Sequence, residues 1–416
     1  MNTEKLLRPT WAEVSLKKLR RNAERVRELA GTRKVMAVVK ADAYGHGAVQ
    51  VAKTLAPNPS SPATSGSDSN RTSGAPHETD RGVDWFGVAT AEEALELRRA
   101  GIEQPILLLG GLYMSDPADL IEHRLTPSVS STARLDTYAE CARRFAKPIE
   151  FHLKIDTGMG RLGLPPDRLR AFVEHYRELE GLKLTGFLTH LASAEDRVAT
   201  QTAIQLQRFA RALKALRSMG VEPAWIHVSN SAALLSARKP ASENLVRAGA
   251  LYYGYCLPLV EPADSREPRA AESGAPADMW GGVFEPVLSF KSRVVYLKDV
   301  PGNTPLGYAG AFHTRRRSRI ATVPVGYADG LSRALSNRGR ALVRGRSAPI
   351  AGNISMDLTL FDVTDIPGVA VGDEVVLVGA SGEDSITALE IAREIPTVPY
   401  EVLCSIGKRV PRIYVD

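Results

Sequence analysis

The sequence predicts an α/β protein, an N-terminal (β/α)8 barrel of the TIM type followed by a mostly β C-terminal domain. Three observations predict it. Eight short apolar runs alternate with helix-period segments over about 240 residues, the strand–helix grammar of a parallel sheet. After Tyr255 that grammar gives way to short β-rich runs separated by turn residues. Unusual polar side chains also collect at the ends of at least five of the eight apolar runs, where a barrel carries its function. An open doubly wound sheet is the competing fold, since periodicity does not separate the two. A chain of 416 residues is longer than one core usually supports, which suits two domains.

From Ser15 to Gly31, the residues Leu16, Leu19, Ala23, Val26 and Leu29 recur at helical spacing, and Gly31 is a stop signal. Val35–Val39 is an apolar run bounded by the turn residues Ala41–Gly47, which reads as a buried parallel strand ending in Lys40. Most strand-end lysines simply reach for solvent. A desolvated one is a base or forms a Schiff base. A helix is expected near Gly47–Leu55, then a Ser/Pro/Asn/Thr/Gly-rich insertion over residues 56–82. Further strands are expected at Asp84–Val88, Pro105–Leu109, Leu125–Val129, Ile149–Ile155, Leu184–Thr189, Trp225–Val228 and Leu245–Val246. Helices are expected at Ala91–Ala100, Ala133–Phe145, Pro166–Leu179 and Thr202–Met219. These place the barrel at residues 12–258.

Residues 259–416 form the second domain, which the segment 1–11 could join. It opens with a Pro/Ala/Glu-rich linker over 260–282. The β-rich runs are Val287–Leu297, Ile320–Pro324, Ala341–Val343, Leu358–Val363 and Glu374–Val378, with turn signals at Asn337-Arg338-Gly339 and Ser381-Gly382. One helix, Ile386–Glu394, precedes a final strand near Val415.

Composition removes several function classes. The net charge is only +6, from 53 basic and 47 acidic residues, and the densest basic run, His313–Arg319, is short. No nucleic-acid recognition pattern accompanies it. The three cysteines lie far apart without a CxxC pair, and the eight histidines show no HExxH spacing. That argues for a reducing compartment and against a disulfide framework or a metal site. The N-terminus is too polar for a signal peptide and no apolar run is long enough to span a bilayer, so a cytoplasmic protein without a membrane partner is expected.

Chemistry gathers at strand ends. Lys40 closes the first strand, Lys154 to Arg161 the fifth, Thr189-His190 the sixth, His227 to Ser231 the seventh and Arg247 to Gly249 the eighth. Taken singly, His190 reads as a core histidine and Arg247 as a surface ion pair. Their coincidence at five strand ends is harder to attribute to packing.

Eight segments, MAVVKADAYGHG, HLKIDTGMGRLG, THLASAED, HVSNSAA, VRAGALYYG, VPVGYADG, ISMD and RVPRIYV, resemble in order the signatures of the alanine racemases, fold-type III enzymes that use pyridoxal 5′-phosphate. The resemblance covers nearly the whole chain outside the two biased segments. It implies that Lys40 holds the cofactor as a Schiff base and is one of two catalytic bases. Tyr308 is the second, delivered by the partner subunit of a homodimer. Racemisation needs two, because a proton leaves one face of a planar carbon and returns to the other. The resemblance further implies a hydrogen-bond chain from Tyr308 to His190, Arg247 and His227. Arg247 would bond the pyridine nitrogen, with His190 against the ring and Asn230 among the cofactor contacts. Tyr44, Ser231 and the N–H groups of Gly249 and Ala250 would hold the phosphate. Arg161 would bind the substrate carboxylate, oriented by a carbamylated Lys154. Met356 and Asp357 would line the substrate site from the partner, with Tyr327 and Arg333 at its entrance.

Three positions depart from the family pattern: Lys408 stands where some members carry a tyrosine, Asn353 where several carry an arginine, and Leu188 where some carry a tyrosine. They bear on selectivity. The implied activity is interconversion of L- and D-alanine, supplying D-alanine for peptidoglycan, with no metal. A related racemase of broader or serine specificity is the alternative. A cofactor-binding regulatory protein of the same barrel would lack the β domain that carries Tyr308.

Overall fold

The structure, a computed structural model, describes residues 6–57, 82–196, 200–237, 239–240, 242–255 and 283–416. Most of the 56–82 insertion, Cys256 and the 260–282 linker lie outside the described residues. Strand β1 (Thr10–Ser15) leads into a helix, Leu16–Ala30, whose N-cap Ser15 accepts from the Lys18 N–H at 3.3 Å. Gly31, at φ 62°, ends that helix.

Eight strands then follow: β2 (Lys34–Val38), β3 (Trp85–Val88), β4 (Ile106–Leu108), β5 (Leu125–Val129), β6 (Ile149–Lys154), β7 (Leu182–Leu188), β8 (Trp225–His227) and β9 (Leu245–Ala248). They pair in parallel, in the order β8-β7-β6-β5-β4-β3-β2-β9. The two ends of this sheet meet. Asn244 N donates to Ile226 O at 3.1 Å and Arg247 N to Ser229 O at 3.0 Å, joining β9 to β8. An open doubly wound sheet would leave those edges apart, so the fold is the barrel. Helices between the strands turn apolar faces inward; Leu135–Phe145, for example, buries Leu135, Tyr138, Ala139 and Ala142 at helical spacing. Inside the barrel, Met36, Trp85, Leu107 and Leu245 form a separate buried cluster.

The remaining strands are β10 (Leu288–Arg293), β11 (Tyr296–Val300), β12 (Pro305–Leu306), β13 (Phe312–His313), β14 (Ser318–Val323) and β15 (Arg340–Val343). After them come β16 (Arg346–Pro349), β17 (Thr359–Asp362), β18 (Glu374–Ser381), β19 (Asp384–Ile386) and β20 (Arg412–Val415). The main sheet runs β16-β15-β18-β10-β1-β20, with β19 on β18; β11-β14-β17 form a second sheet and β12-β13 a hairpin.

Two expectations change. The N-terminal strand β1 pairs antiparallel with β10 and parallel with β20, so residues 12–15 belong to the β sheet and not to the barrel. The single run expected over Val287–Leu297 breaks in two: Val294 N bonds Asp373 O while the next residue, Val295, bonds Thr322 O in the other sheet. One apolar run thereby feeds two sheets. The helix Pro399–Cys404 was absent from the sequence pattern; Pro399 at its first position presets the helical φ.

Candidate active site

A cavity of about 670 Å³ opens where the barrel strands end. Its walls carry Lys40, Tyr44, Lys154, Arg161 and His190 from the first part of the chain, and Asn230, Ser231, Arg247, Gly249 and Ala250 from the loops after β8 and β9. Ten of the expected site residues are therefore together. His227 stands behind Arg247 in the barrel interior.

The backbone after Lys40 is unusual. Ala41, Asp42, Ala43 and Tyr44 all have φ of 52–54°, a left-handed helical turn built without glycine. Such a conformation costs roughly 1–2 kcal/mol per residue. Local hydrogen bonds hold it. Ala41 N donates to Glu93 Oε1 at 2.6 Å, Gly47 N to Asp42 O at 2.9 Å and Ala48 N to Asp42 Oδ1 at 2.7 Å. The buried His46 ring contributes as well: its Nδ1 lies 2.9 Å from Ala43 O and 3.0 Å from Tyr44 O, so that nitrogen carries the proton. The turn sends Lys40 and Tyr44 into the same cavity.

Arg247 is held from several sides. Nη1 donates to His227 O at 2.8 Å and faces His227 Nδ1 at 3.1 Å, while Nη2 donates to Thr189 O at 2.7 Å and Val228 O at 3.0 Å. Both η nitrogens are thus engaged, which leaves Nε–H as the donor without a protein acceptor among these bonds. With Lys40, Lys154 and Arg161, this makes four basic groups around one cavity. The consequence is visible in the lysines. Burial, then the Arg247, Arg161 and Lys40 charges, lower Lys154 to about 8, and burial followed by Arg161 lowers Lys40.

The Tyr44 ring lies 4.9 Å from Tyr253 and meets Tyr400 edge-on at 5.9 Å. A Cβ at Gly249 would stand 2.8 Å from Tyr44 Oη, so only glycine admits the hydroxyl here. Ser231 Oγ accepts from Gly249 N at 3.0 Å, tying the loop after β8 to the loop after β9.

Five expected residues are elsewhere. Tyr308, at the tip of the β12–β13 hairpin, is 72% exposed and Met356 is 52% exposed. Asn353 Nδ2 donates to Tyr308 O at 3.1 Å, which braces the tip. Asp357 pairs with Arg409 at 2.6 Å. Tyr327 and Arg333 line a second cavity, of about 440 Å³, wholly within the β domain. Within one chain, none of these five reaches the Lys40 cavity. Conversely, the cavity includes residues that spacing did not single out, among them Tyr113, Glu195 and Tyr400. Tyr400 comes from the unexpected helix, and no periodicity signal marks it.

The loop carrying Asn230 and Ser231 is anchored by Glu243. Its fully buried carboxylate accepts from Val228 N at 2.8 Å, Ser229 N at 2.6 Å and Ser229 Oγ at 2.8 Å, and pairs with Arg33 at 2.6 Å. Glu243→Ala strands Arg33 and three donors together. It is expected to destabilise the protein by about 3–5 kcal/mol, read as a lowered denaturant midpoint; a midpoint within error of wild type contradicts the anchoring role.

Four histidines are held neutral, chiefly by burial: His46 near 4, His152 and His190 near 3, and His227 well below its ordinary value. Unfolding restores each to roughly 6.5. The unfolded chain then binds more protons, so stability is full above about pH 6.5 and is lost as pH falls towards 4, at about 1.4 kcal/mol per pH unit for each histidine. Urea midpoints at pH 7 and pH 5 test this. Equal midpoints contradict it.

Known proteins share this fold. Family models described as alanine racemase, N-terminal domain, and alanine racemase, C-terminal domain, match residues 14–61 with 73–257, and 287–414. The chain is 39% identical over 413 residues to an alanine racemase of Halothermothrix orenii, covering 99% of this chain and 98% of the relative. It is similarly 39% identical to alanine racemase 2 of Caldanaerobacter subterraneus, over 98% of this chain and 95% of the relative. Among solved structures it is similar to the alanine racemase of Clostridium difficile 630, with a TM-score of 0.81, 34% identity, and coverage of 99% and 97%. A cycloserine complex of that protein is similar at a TM-score of 0.79 and 33% identity, with coverage of 99% and 96%.

Proposed function

The chain belongs to the alanine racemase family and interconverts the enantiomers of alanine, and we propose that it does so with pyridoxal 5′-phosphate, Lys40 and a Tyr308 supplied by a second copy of the chain. The cavity fits that cofactor. Its four basic groups favour a phosphate and a carboxylate together. The close approach of Tyr44 Oη to Gly249, beside Ser231 Oγ, forms a small polar cradle at the barrel position where phosphates commonly bind. Bound there, the cofactor supplies an electron sink that acidifies the substrate α-proton.

The chain's own residues do the rest. Lys40 Nζ holds the cofactor and moves a proton on one face of the α-carbon; its lowered pKa raises the fraction of neutral amine available for this. Tyr44, Ser231 and the Ala250 N–H hold the phosphate, with Asn230 beside them; the Gly249 N–H, expected there too, is instead donated to Ser231 Oγ and fixes that hydroxyl. Arg247 presents Nε–H to the ring nitrogen and, having no lone pair, cannot accept a proton from it or supply one as a carboxylic acid would. His190, neutral at working pH, lies by the ring. Arg161 receives the substrate carboxylate. Lys154, partly neutral at physiological pH and without a paired carboxylate among the described residues, suits carbamylation, which would give Arg161 an anion. Met356 and Asp357 complete the pocket from the second copy, with Tyr327 and Arg333 towards the entrance.

The observation that carries the proposal is a division of labour: Lys40 faces a formed cavity, while Tyr308 of the same chain is 72% exposed and does not line that cavity. The other face of the substrate therefore needs a second chain, and the assembly is a homodimer with shared sites. Product D-alanine serves peptidoglycan synthesis in the cytoplasm. Among the described residues, no helix is long and apolar enough to cross a membrane. Purified protein supplied with pyridoxal phosphate should interconvert L- and D-alanine faster than L- and D-serine. Faster turnover of serine would move the substrate assignment to the broader class, and a fully active monomer would remove the shared site.

A further inference from the structure

Below Arg247 the barrel carries a pair of buried histidines, of which only the first, His227, touches Arg247. His227 Nδ1 faces Arg247 Nη1 at 3.1 Å, and His227 Nε2 faces His152 Nδ1 at 3.0 Å. Both rings are fully buried. A guanidinium only donates, so His227 Nδ1 must carry a lone pair and its proton sits on Nε2. That N–H is donated to His152 Nδ1, and the proton of His152 falls on its own Nε2. There it meets nothing: His152 Nε2 is buried with no hydrogen-bond partner among the described residues.

An unmet buried donor is a cost that a leucine at this position would not carry. Yet the barrel is shaped for the imidazole. His152 on β6 is registered against Gly186 on β7, and a Cβ at Gly186 would overlap His152 Cγ and Cδ2. Trp85 covers the ring from β3, at 5.2 Å between centroids.

The direction of the chain gives the histidine a use. Three of the four η contacts of Arg247 go to backbone carbonyls, which cannot change character. The fourth goes to His227 Nδ1, which becomes a repelling donor if His227 changes tautomer. His152 Nδ1 is the acceptor that favours the correct tautomer. We propose that His152 is a positioning residue for the racemase reaction: by accepting the His227 Nε2–H, it fixes the His227 tautomer and thereby the aim of Arg247 at the cofactor ring. This rests on the proposed contact between Arg247 and the ring nitrogen.

The test compares His152→Asn, His152→Gln and His152→Leu in the full-length protein. Asparagine can set its amide oxygen where Nδ1 stood; glutamine sets its amide one bond further away, and leucine has no acceptor. Two-bond ¹H–¹⁵N correlations on ¹⁵N-histidine-labelled apoprotein read the His227 tautomer. The Nε2–H form is expected in wild type and His152→Asn and is expected to be lost in the other two. On pyridoxal phosphate-loaded protein, kcat for alanine should fall about tenfold in His152→Gln and His152→Leu, the effect of losing one hydrogen bond, with KM little changed and His152→Asn nearer wild type. If leucine fails to fold, the Asn–Gln contrast carries the same information. A merely structural role would lower thermal stability in all three while leaving tautomer and kcat alone, and that result overturns the proposal. So does a tautomer change without a change in kcat. A wild type that binds no pyridoxal phosphate, seen in its absorbance before any variant is made, would instead remove the cofactor assignment and this proposal with it.

Discussion

Lys40→Ala is expected to lower kcat for alanine racemisation by about 10⁴-fold, the upper end of what one proton-transfer group contributes. The effect is large because the proposed function gives one side chain two tasks, tethering the cofactor and moving a proton at the α-carbon. Its position depends on the left-handed turn that follows it and on the Ala41 N–H bond to Glu93 at 2.6 Å. The amine is partly desolvated and close to Arg161, and both depress its pKa. Alanine removes the amine and leaves the residues proposed to hold the phosphate and ring unchanged. The variant should therefore take up pyridoxal phosphate but release it on gel filtration, where wild type keeps it. A small external amine such as methylamine should restore part of the activity. A Lys40→Ala protein that retains cofactor through filtration and racemises at the wild-type rate would contradict the assignment.

Tyr308→Phe is expected to lower kcat by about 10³-fold, within the range of one general acid–base group, without changing cofactor occupancy. Tyr308 is exposed on a hairpin tip braced by Asn353, so loss of one hydroxyl leaves the fold intact. The two-base geometry makes a sharper prediction. With Lys40 still present, one enantiomer of alanine should keep exchanging its α-proton with solvent deuterium while inversion stops. Exchange lost equally from both enantiomers would mean that Tyr308 does not serve a separate face.

Much of this arrangement is legible in the sequence, because barrel strands and their flanking turns are short-range features. Lys40, Lys154, His190, Asn230 and Arg247 stand at strand ends that apolar runs and turn residues already delimit, and the structure gathers all five in one cavity. What escaped notice depends on tertiary pairing. Thr10–Ser15 is a six-residue strand whose partners, β10 and β20, lie more than 270 residues away in sequence, so no local pattern announces it. The left-handed turn is invisible because Ala-Asp-Ala-Tyr carries no glycine; its conformation is held by Glu93 and His46 from outside it and by Asp42 within it. Tyr400 and His152 were missed for a similar reason. Each has its consequence only against a neighbour from a distant element, Tyr44 for one and His227 for the other.

The central claim is that each site takes Lys40 from one chain and Tyr308 from another. Mixing Lys40→Ala with Tyr308→Phe, under conditions that let subunits exchange, tests it directly. Half of randomly paired dimers are mixed, and each mixed dimer carries one site with both bases, so the mixture should recover about a quarter of wild-type specific activity. Activity that stays at the sum of the two variants, with subunit exchange verified, would contradict the shared site.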